Sequence, residues 1–416
     1  MNFIRLRKNN LSVDNISALS VVKRNQTPFY LYSLFQLKKN FYTFINTFKK
    51  VKPLVCFSVK SNSNMTLLKE LKKMGSGADV VSIGELLKAT KAGINPKKIV
   101  FSGVGKTEKE IEQALHVGIH CFNVESLPEL DRINRLAASS GLNAPVSPRI
   151  NPDVDAGTHP YISTGLKENK FGIDTSDALM VYQHAIALSN IDVVGIDCHI
   201  GSQLTELAPF LDALDRLLVL VDKLSEAGIQ LQHIDIGGGL GVTYQSETPP
   251  APASLIEAVL KKLSGRKLRL LMEPGRSIVA DAGLLLVRVE YLKHSPHKNF
   301  AIVDGAMNDL LRPALYSAWQ EIIPATLTDT KDSAIYDVVG PVCESGDFLG
   351  KDRRLAVLPG DLLAIRTSGA YSFVMSSNYN SRNRAAEVMV DGHQNHLIRQ
   401  RENLDDQLKL EKMLPE

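Results

Sequence analysis

The sequence has little of what marks secreted, membrane-spanning or metal-stapled proteins. It contains four cysteines in 416 residues, far apart and without a CxxC pair, so neither a zinc site nor a disulfide framework is indicated. No apolar run approaches the roughly 20 residues that span a bilayer, and residues 1–10 lack the apolar stretch of a signal peptide. We therefore expect a cytoplasmic protein with no metal and no membrane partner.

An excess of one charge is also missing. The chain has 48 Lys and Arg residues against 45 Asp and Glu residues, and the two signs are interspersed. This balance argues against nucleic acid as a partner. What the sequence does have is 44% hydrophobic residues, enough for a large core, and a length that favours two domains.

Residues 33–276 alternate between short apolar runs, typical of buried strands, and segments in which apolar positions recur every three or four residues, typical of helices. One helical segment, residues 34–50, precedes the first run. Eight strands and eight helices in about 250 residues predict an α/β fold, a TIM-like (β/α)8 barrel with a closed parallel sheet. The predicted strands are residues 54–60, 77–82, 98–105, 120–126, 145–151, 191–200, 231–237 and 267–273.

Beyond residue 276, β-rich runs are separated by turn residues such as Pro359-Gly360. This pattern predicts a C-terminal all-β domain over residues 277–416. The N-terminal segment 1–32 is predicted to complete it, because Phe29–Tyr32 has the composition of a strand. The other predicted strands of this domain are residues 284–291, 300–303, 334–339, 355–358, 361–367 and 387–390.

Reactive groups of such barrels lie at the carboxyl ends of the strands, and unusual residues end four of the predicted strands. Lys60 ends the first; its ammonium group either reaches water along its methylene stem or takes part in amine chemistry. The others are His199 and Ser202 at the sixth strand, Gly238 and Gly239 at the seventh, and Glu273, Gly275 and Arg276 at the eighth. All of them are predicted to share one rim.

Each of these residues also has an ordinary structural interpretation. His199 could be a core histidine bonded to backbone, the glycines could be turns, and Glu273 could pair with Arg276. Together, however, they match the needs of pyridoxal 5′-phosphate (PLP). An amine can hold the cofactor, glycine N–H groups its phosphate, an imidazole its ring face and a carboxylate its pyridine nitrogen. A protonated pyridine nitrogen favours decarboxylation at an amino-acid α-carbon.

Seven motifs carry a resemblance to a known family. They are FSVKSN at 57–62, HIGSQ at 199–203, GGGLG at 237–241, EPGR at 273–276, RPALY at 312–316, GPVCESGD at 340–347 and GAYSFVMSSNYNSR at 369–382. With these motifs in this order, nearly the whole chain resembles the barrel-fold, alanine-racemase-like PLP enzymes and, within them, the diaminopimelate decarboxylases. One flank departs, since Cys56-Phe57-Ser58 stands where an aromatic-alanine pair is commoner.

The resemblance implies a role for each matched residue. Lys60, His199 and Cys343 would be catalytic: Lys60 would carry PLP, His199 would stack on its ring, and Cys343 would return a proton to the substrate. PLP would be bound by Lys60, His199, Ser202, Gly238, Gly239, Glu273, Gly275, Arg276 and Tyr371. The amino-acid substrate would be bound by Arg276, Arg312, Tyr316, Glu344 and Tyr371.

The resemblance also implies a reaction and an assembly. The reaction is the decarboxylation of meso-2,6-diaminopimelate to L-lysine and carbon dioxide, the last step of lysine biosynthesis. Such enzymes place the Cys343 segment in the partner's active site, which implies a homodimer with shared sites. Without the resemblance, Arg312 beside Pro313 would suggest a surface loop, and Cys343 a small buried hydrophobe.

Two alternatives stay open. A decarboxylase of ornithine, arginine or carboxynorspermidine would share the barrel and most PLP contacts, although relatives that take ornithine have Cys-Asp where this chain has Cys343-Glu344. The second alternative is a non-catalytic PLP-binding protein, against which the joint presence of Lys60, His199 and Cys343 argues.

Overall fold

The computed structural model describes residues 4–7, 9–46, 53–155, 164–165, 169–327 and 332–415. The chain divides into two units. The first, which we call the barrel unit, comprises Asn40–Thr243 and Glu247–Ile278; the second, the β unit, comprises Met1–Lys39, Tyr244–Ser246 and Val279–Glu416. That residues 33–276 form a separate domain stays a prediction.

All but one of the elements that precede the barrel strands are short, the exception being the 12-residue helix Leu34–Ile45. The strands are β1 (Ile4–Arg7), β2 (Asn10–Val13), β3 (Ile16–Ser17) and β4 (Phe29–Ser33), and the helices are α1 (Ala18–Val22) and α2 (Leu34–Ile45). The segment β1–β3 forms a small antiparallel sheet that was not predicted. The helix predicted over residues 34–50 begins at Leu34 as expected, and residues 47–50 lie outside the described part of the chain.

The strands of the barrel unit are parallel and form one large sheet and one small sheet. They are β5 (Leu54–Ser58), β6 (Gly77–Val80), β7 (Ile99–Phe101), β8 (Cys121–Val124), β9 (Ala144–Pro148), β10 (Ile150–Asn151), β11 (Ile173–Asp174), β12 (Ile191–Val193), β13 (Gly195–Asp197), β14 (His233–Asp235) and β15 (Arg269–Met272). The large sheet runs β12-β9-β8-β7-β6-β5-β15-β14-β13, and β10 pairs with β11.

This sheet closes into a barrel at Val194. Val194 separates β12 from β13, and its N–H donates to the Val146 carbonyl oxygen on β9 over 2.9 Å. β12 and β13 therefore act as one strand between β9 and β14, which gives eight strands around the barrel. The predicted TIM-like (β/α)8 barrel is confirmed.

Helices alternate with these strands, and the local sequence sets where each helix begins and which of its faces is apolar. They are α3 (Met65–Lys73), α4 (Ile83–Lys91), α5 (Glu108–Val117), α6 (Leu127–Ser139), α7 (Ala178–Ala187), α8 (Ala208–Glu226), α9 (Pro252–Lys262) and α10 (Arg276–Val279). The Asn64 and Ser82 side chains cap α3 and α4, and Thr107 with Glu110 forms a capping box on α5. None of the described helices is both long and apolar enough to cross a membrane.

The β unit is built around strand β4. Its later elements are β16 (Gly283–Lys293), β17 (Phe300–Val303), α11 (Arg312–Tyr316), β18 (Ile322–Pro324), β19 (Ala334–Val339), β20 (Phe348–Leu355), β21 (Leu362–Ile365), β22 (Ala386–Asp391), β23 (Gln394–Arg399) and α12 (Leu404–Leu408). β4 pairs antiparallel with β16 and parallel with β22, and all five of its residues are buried. This confirms that the N-terminal segment completes the β-domain.

One predicted strand of the β unit is wrong. Residues 355–358 are not a strand: β20 ends at Leu355, and the N–H of Leu358 donates to the Asp361 carboxylate in a turn. The true strand lies earlier and was missed because Lys351–Arg354 is charged and breaks the apolar pattern. β18 and the mostly exposed β23 were also not predicted.

Candidate active site

Lys60 lies just beyond the strand on which it was predicted. β5 ends at Ser58, and a 3₁₀ turn over Val59–Ser61 carries the lysine. The turn is fixed at both ends, since the Ser61 hydroxyl donates to the Ser58 carbonyl (2.7 Å) and the Ser58 N–H donates to the Pro274 carbonyl (3.1 Å). Lys60 thus follows the carboxyl end of β5, and its side chain is one-third exposed, so water is partly excluded from the amine.

Asp79 on β6 is the partner of this amine. Lys60 Nζ donates to Asp79 Oδ2 over 2.5 Å, and the Ser58 hydroxyl donates to the same oxygen. Burial raises the pKa of Asp79, but the Lys60 ammonium and these two hydrogen bonds outweigh burial and hold the pKa below its usual value. Asp79 was not predicted, although a charged residue inside the apolar run Gly77–Val81 was the signal for it.

Glu273 follows β15 and is buried in the barrel. Its Oε1 accepts hydrogen bonds from Asn123 Nδ2 (3.1 Å) and, more weakly, from the Ser102 hydroxyl (3.4 Å). Burial, together with Asp79 and Asp235 nearby, raises the pKa of Glu273 well above its ordinary value. A cationic ring nitrogen beside this carboxyl would reverse that shift, as an opposite charge favours the ionised form.

Two clusters of potential metal ligands lie in the described part of the barrel unit. In the first, carboxylate oxygens of Asp197, Asp235 and Glu273 lie within 4.8 Å of one another, and burial raises the pKa of Asp235 to about 7. The second joins His120, Cys121 and His233. Burial and the cations of Arg269 and Lys97 lower the pKa of His120, and these cations also disfavour a bound metal ion.

His199 is held as a neutral imidazole. The Gly238 N–H donates to His199 Nδ1 over 3.3 Å, so the ring proton resides on Nε2. Burial, with Arg149 and Lys60 nearby, lowers the pKa of His199 to about 3. Arg149 also fixes the backbone here, because its Nη2 donates to the His199 carbonyl (3.2 Å) while Nη1 pairs with Glu125 (2.9 Å). The ring is therefore uncharged and fixed in orientation.

The glycines after β14 leave no room for side chains. A Cβ on Gly238 would lie 2.2 Å from the Glu273 carbonyl oxygen, and one on Gly239, whose φ is +103°, would lie 2.3 Å from the Gly201 carbonyl oxygen. Gly275 is equally tight against Ser58. The backbone at this rim thus carries no side chains, although the Gly238 N–H already donates to His199. A glycine backbone of this kind suits a phosphate.

Ser202 and Arg276 complete the barrel part of the predicted site. Arg276 begins α10, and its Nη2 donates to the Ser202 hydroxyl over 2.9 Å. The arginine is 7% exposed, so a positive charge is held inside the same rim. The barrel unit thus brings together all the cofactor residues predicted on it.

The β unit carries the predicted substrate residues. Arg312 begins α11 and is buried, with its guanidinium 4.2 Å from the centroid of the Tyr244 ring. Tyr316 ends the same helix and is half-buried. Tyr371 has a left-handed backbone with φ of +53°, a strained conformation that costs about 1 to 3 kcal/mol and is common at functional sites.

Cys343 and Glu344 lie on an exposed loop. The loop is rigidly held by Asp347, whose two carboxylate oxygens accept the N–H groups of Met307 (2.7 Å) and Val342 (2.8 Å). The Tyr379 hydroxyl bonds to the Glu344 carboxylate, and this bond raises the pKa of Tyr379. The thiol and the carboxylate are therefore presented to the outside of the chain in a defined conformation.

These groups fit PLP. The bare glycine backbone matches a phosphate, the neutral His199 ring matches a flat aromatic face, and the buried Glu273 carboxyl matches a cationic pyridine nitrogen. Lys60 has the amine that PLP needs.

Comparisons with known proteins also indicate a PLP enzyme. A family model described as pyridoxal-dependent decarboxylase, pyridoxal binding domain, matches residues 34–280. Diaminopimelate decarboxylase of Pseudomonas aeruginosa is 54% identical over 100% of both chains, and that of Vibrio cholerae is 55% identical over 98% of this chain and 97% of its own. The structure of Helicobacter pylori diaminopimelate decarboxylase complexed with L-lysine has a TM-score of 0.91 and 45% identity, covering 94% of this chain and 98% of that one. The resemblance and the PLP cofactor are confirmed, and the chain belongs to the diaminopimelate decarboxylase family of pyridoxal-dependent decarboxylases.

Proposed function

We propose that this chain catalyses the decarboxylation of meso-2,6-diaminopimelate to L-lysine and carbon dioxide. The observation that carries the proposal is the joint placement of Lys60, His199 and Glu273 in one barrel rim with a bare glycine backbone. Bound PLP supplies an electron sink for the electron pair that remains when carbon dioxide leaves the α-carbon. Relatives more than 50% identical over the full chain support the choice of substrate.

In the barrel unit, we assign the cofactor residues their family roles. Lys60 holds the cofactor through Nζ, and Asp79 orients that atom. His199 presents an uncharged ring face, which its lowered pKa preserves at all working pH values. Glu273 would hold the proton on the pyridine nitrogen. Ser202 and Arg276 would bind the cofactor together with the backbone of Gly238, Gly239 and Gly275. Tyr371 of the β unit would also contact the cofactor.

In the β unit, we assign the substrate residues by charge. Diaminopimelate carries a second carboxylate and ammonium at its distal end, and a guanidinium suits the carboxylate because it can bind with two parallel hydrogen bonds. Arg312 and Tyr316 take this carboxylate with Arg276, Glu344 takes the ammonium, and Tyr371 touches the substrate. Cys343 Sγ returns a proton to the α-carbon after carbon dioxide has left.

The exposure of Cys343 and Glu344 supports a homodimer in which each loop serves the partner's site. A proton donor has to be shielded from bulk water in order to act at a chosen carbon, and the loop is exposed in the single chain. A second copy that covers it satisfies this need by symmetry. We place the enzyme in the cytoplasm, consistent with its four free thiols.

The test is direct. Protein reconstituted with PLP is incubated with meso-diaminopimelate, and carbon dioxide and L-lysine are measured in equal amounts. Ornithine, arginine, carboxynorspermidine and L-lysine are offered as competing substrates. We expect at least a thousandfold preference for diaminopimelate, because a site built for a polar partner rejects analogues without it by about 10⁴-fold. Equal rates with ornithine would assign the chain to the related decarboxylases. If PLP binds and no substrate is turned over, the chain is a non-catalytic PLP-binding protein.

A further inference from the structure

Tyr244 is a buried aromatic residue with no role in the function derived so far. It follows the glycine-rich segment after β14 and is 7% exposed. Its short segment, Tyr244–Ser246, packs with the β unit, although the residues on either side of it belong to the barrel unit. The chain therefore leaves one unit for three residues and returns, which places this aromatic ring among the β-unit residues.

The ring lies against Arg312. The guanidinium carbon is 4.2 Å from the Tyr244 ring centroid, and Arg312 is 6% exposed. At this distance the cation is attracted to the face of the ring, and the attraction is largest where water is excluded. The N–H groups of a guanidinium lie in its own plane, so one that stacks on a ring can still bind a planar carboxylate edge-on.

The segment that carries Tyr244 is fixed at its base. The Thr243 hydroxyl donates to the Glu247 carbonyl over 2.8 Å and closes the loop. Two residues before Tyr244, the Gln203 side chain binds both backbone groups of Val242: Nε2 donates to the carbonyl (2.6 Å) and Oε1 accepts from the N–H (3.1 Å). Gln203 belongs to the HIGSQ motif, and the structure gives it this anchoring contact.

We propose that Tyr244 is a positioning residue that sets substrate specificity by fixing the plane of the Arg312 guanidinium for the distal carboxylate. This rests on the proposed function, in which Arg312 binds that carboxylate. Tyr244 touches neither cofactor nor reacting atoms in this proposal; it acts through the arginine. Loss of the ring leaves the charge in place and removes its orientation, so binding of a carboxylate weakens while the chemistry at the α-carbon is unaffected.

The experiment uses two ligands of the PLP-loaded enzyme that differ in one group. L-Lysine carries the carboxylate, and 1,5-diaminopentane is lysine without it. In Tyr244→Leu we expect the dissociation constant of L-lysine, measured by calorimetry, to rise about tenfold, the effect of losing a desolvated cation–π contact. The constant of 1,5-diaminopentane should change less than twofold. The KM for diaminopimelate should rise with kcat unchanged, as for a contact kept in ground and transition states alike.

Matched variants separate positioning from a general structural role. Tyr244→Phe keeps the ring and should bind L-lysine within about twofold of wild type. In Arg312→Met, adding Tyr244→Leu should have no further effect on L-lysine, because the two residues act as one unit. Tyr244→Met replaces the leucine variant if that variant is insoluble, and the cofactor absorbance and the melting temperature confirm folding.

Each result decides one question. Unchanged L-lysine binding in the leucine variant, or equal weakening of both ligands, overturns the role of Tyr244 while leaving the proposed function intact. Additive losses in the double variant overturn it as well. Absence of diaminopimelate turnover in the wild type would instead overturn the proposed function.

Discussion

The barrel unit and the Cys343–Glu344 loop of the β unit hold their polar groups in opposite ways. In the barrel, Lys106 and Arg149 lie buried against Glu129 and Glu125, and Lys60 is only one-third exposed against a fully buried Asp79. In the β unit, Cys343 and Glu344 stand on an open loop. The chain itself therefore sets the ionisation of the buried barrel groups, whereas in the proposed dimer the partner would supply the surroundings of Cys343.

The largest effect is expected in the barrel unit, when the Lys60 amine is removed. Lys60→Ala should lower kcat/KM for diaminopimelate by at least about 10⁴-fold, the scale on which loss of an essential catalytic group acts. It should also abolish the near-ultraviolet or visible absorption of lysine-held PLP, which a spectrum records without an assay. Lys91→Ala, on the exposed end of α4, is the matched control. An unchanged spectrum in Lys60→Ala would assign the cofactor to another lysine.

The β side is tested by mixing two inactive proteins. Lys60→Ala and Cys343→Ala chains are combined in equal amounts under conditions in which subunits exchange. Random pairing makes about half the dimers mixed, each with one intact site, so about a quarter of wild-type activity should return. Native mass spectrometry verifies the exchange. If exchange is proven and no activity returns, each site is built from one chain.

A smaller effect compares how much a carboxylate in each unit contributes to the free energy of unfolding. Asp79→Asn removes the buried partner of Lys60 and should lower the apparent free energy of unfolding by about 1 to 3 kcal/mol. This is less than for a fully buried pair, because water reaches part of the lysine. Glu344→Gln, on the exposed loop, should change it by no more than about 0.5 kcal/mol. Urea unfolding of both variants measures the difference, and equal losses would contradict the contrast.

The last effect concerns the pH dependence of the apoenzyme. Burial raises the pKa of Asp235 from 3.8 to about 7 in the folded chain. The stability that comes from its retained proton is complete below about pH 4 and is lost as the pH rises to about 7. Asp235→Asn has no proton to lose and can still accept the Gly237 N–H, so its melting temperature relative to wild type should increase from pH 5 to pH 8. Asp405→Asn, on the surface, should show no such trend.

Much of the fold could be predicted because its signals are local. Apolar runs such as Leu54–Ser58 and capping residues such as Ser82 are visible in a few letters of sequence. Strand β20 was missed because Lys351–Arg354 gives one stretch of it the charge of a loop. Lys60 was placed on the strand because nothing in the sequence distinguishes a last strand residue from a 3₁₀ turn closed by Ser58 and Ser61.

A site residue could be predicted where its type and position alone indicate the chemistry. It could not be predicted where its importance depends on a contact with a second residue. Lys60, His199 and Glu273 are conspicuous by type and position. Asp79 stands out locally only as a charged residue inside an apolar run. Its pairing with Lys60, like that of Asn123 with Glu273, joins residues that belong to or follow different strands, which no local pattern records. Tyr244 is similar, since its significance depends on the arginine that lies over it.

Strand β4 has a consequence for the synthesis of the protein. It is made among the first residues, yet β22, one of its two neighbours, is made near the end of the chain. At about 5 to 20 residues per second, tens of seconds pass in between. Both edges of the apolar segment Phe29–Ser33 stay unpaired until β16 is made, and one edge stays unpaired until β22 follows. An unpaired strand edge is a template for aggregation. We expect the yield of active enzyme in cells to follow the supply of chaperones that shield nascent chains.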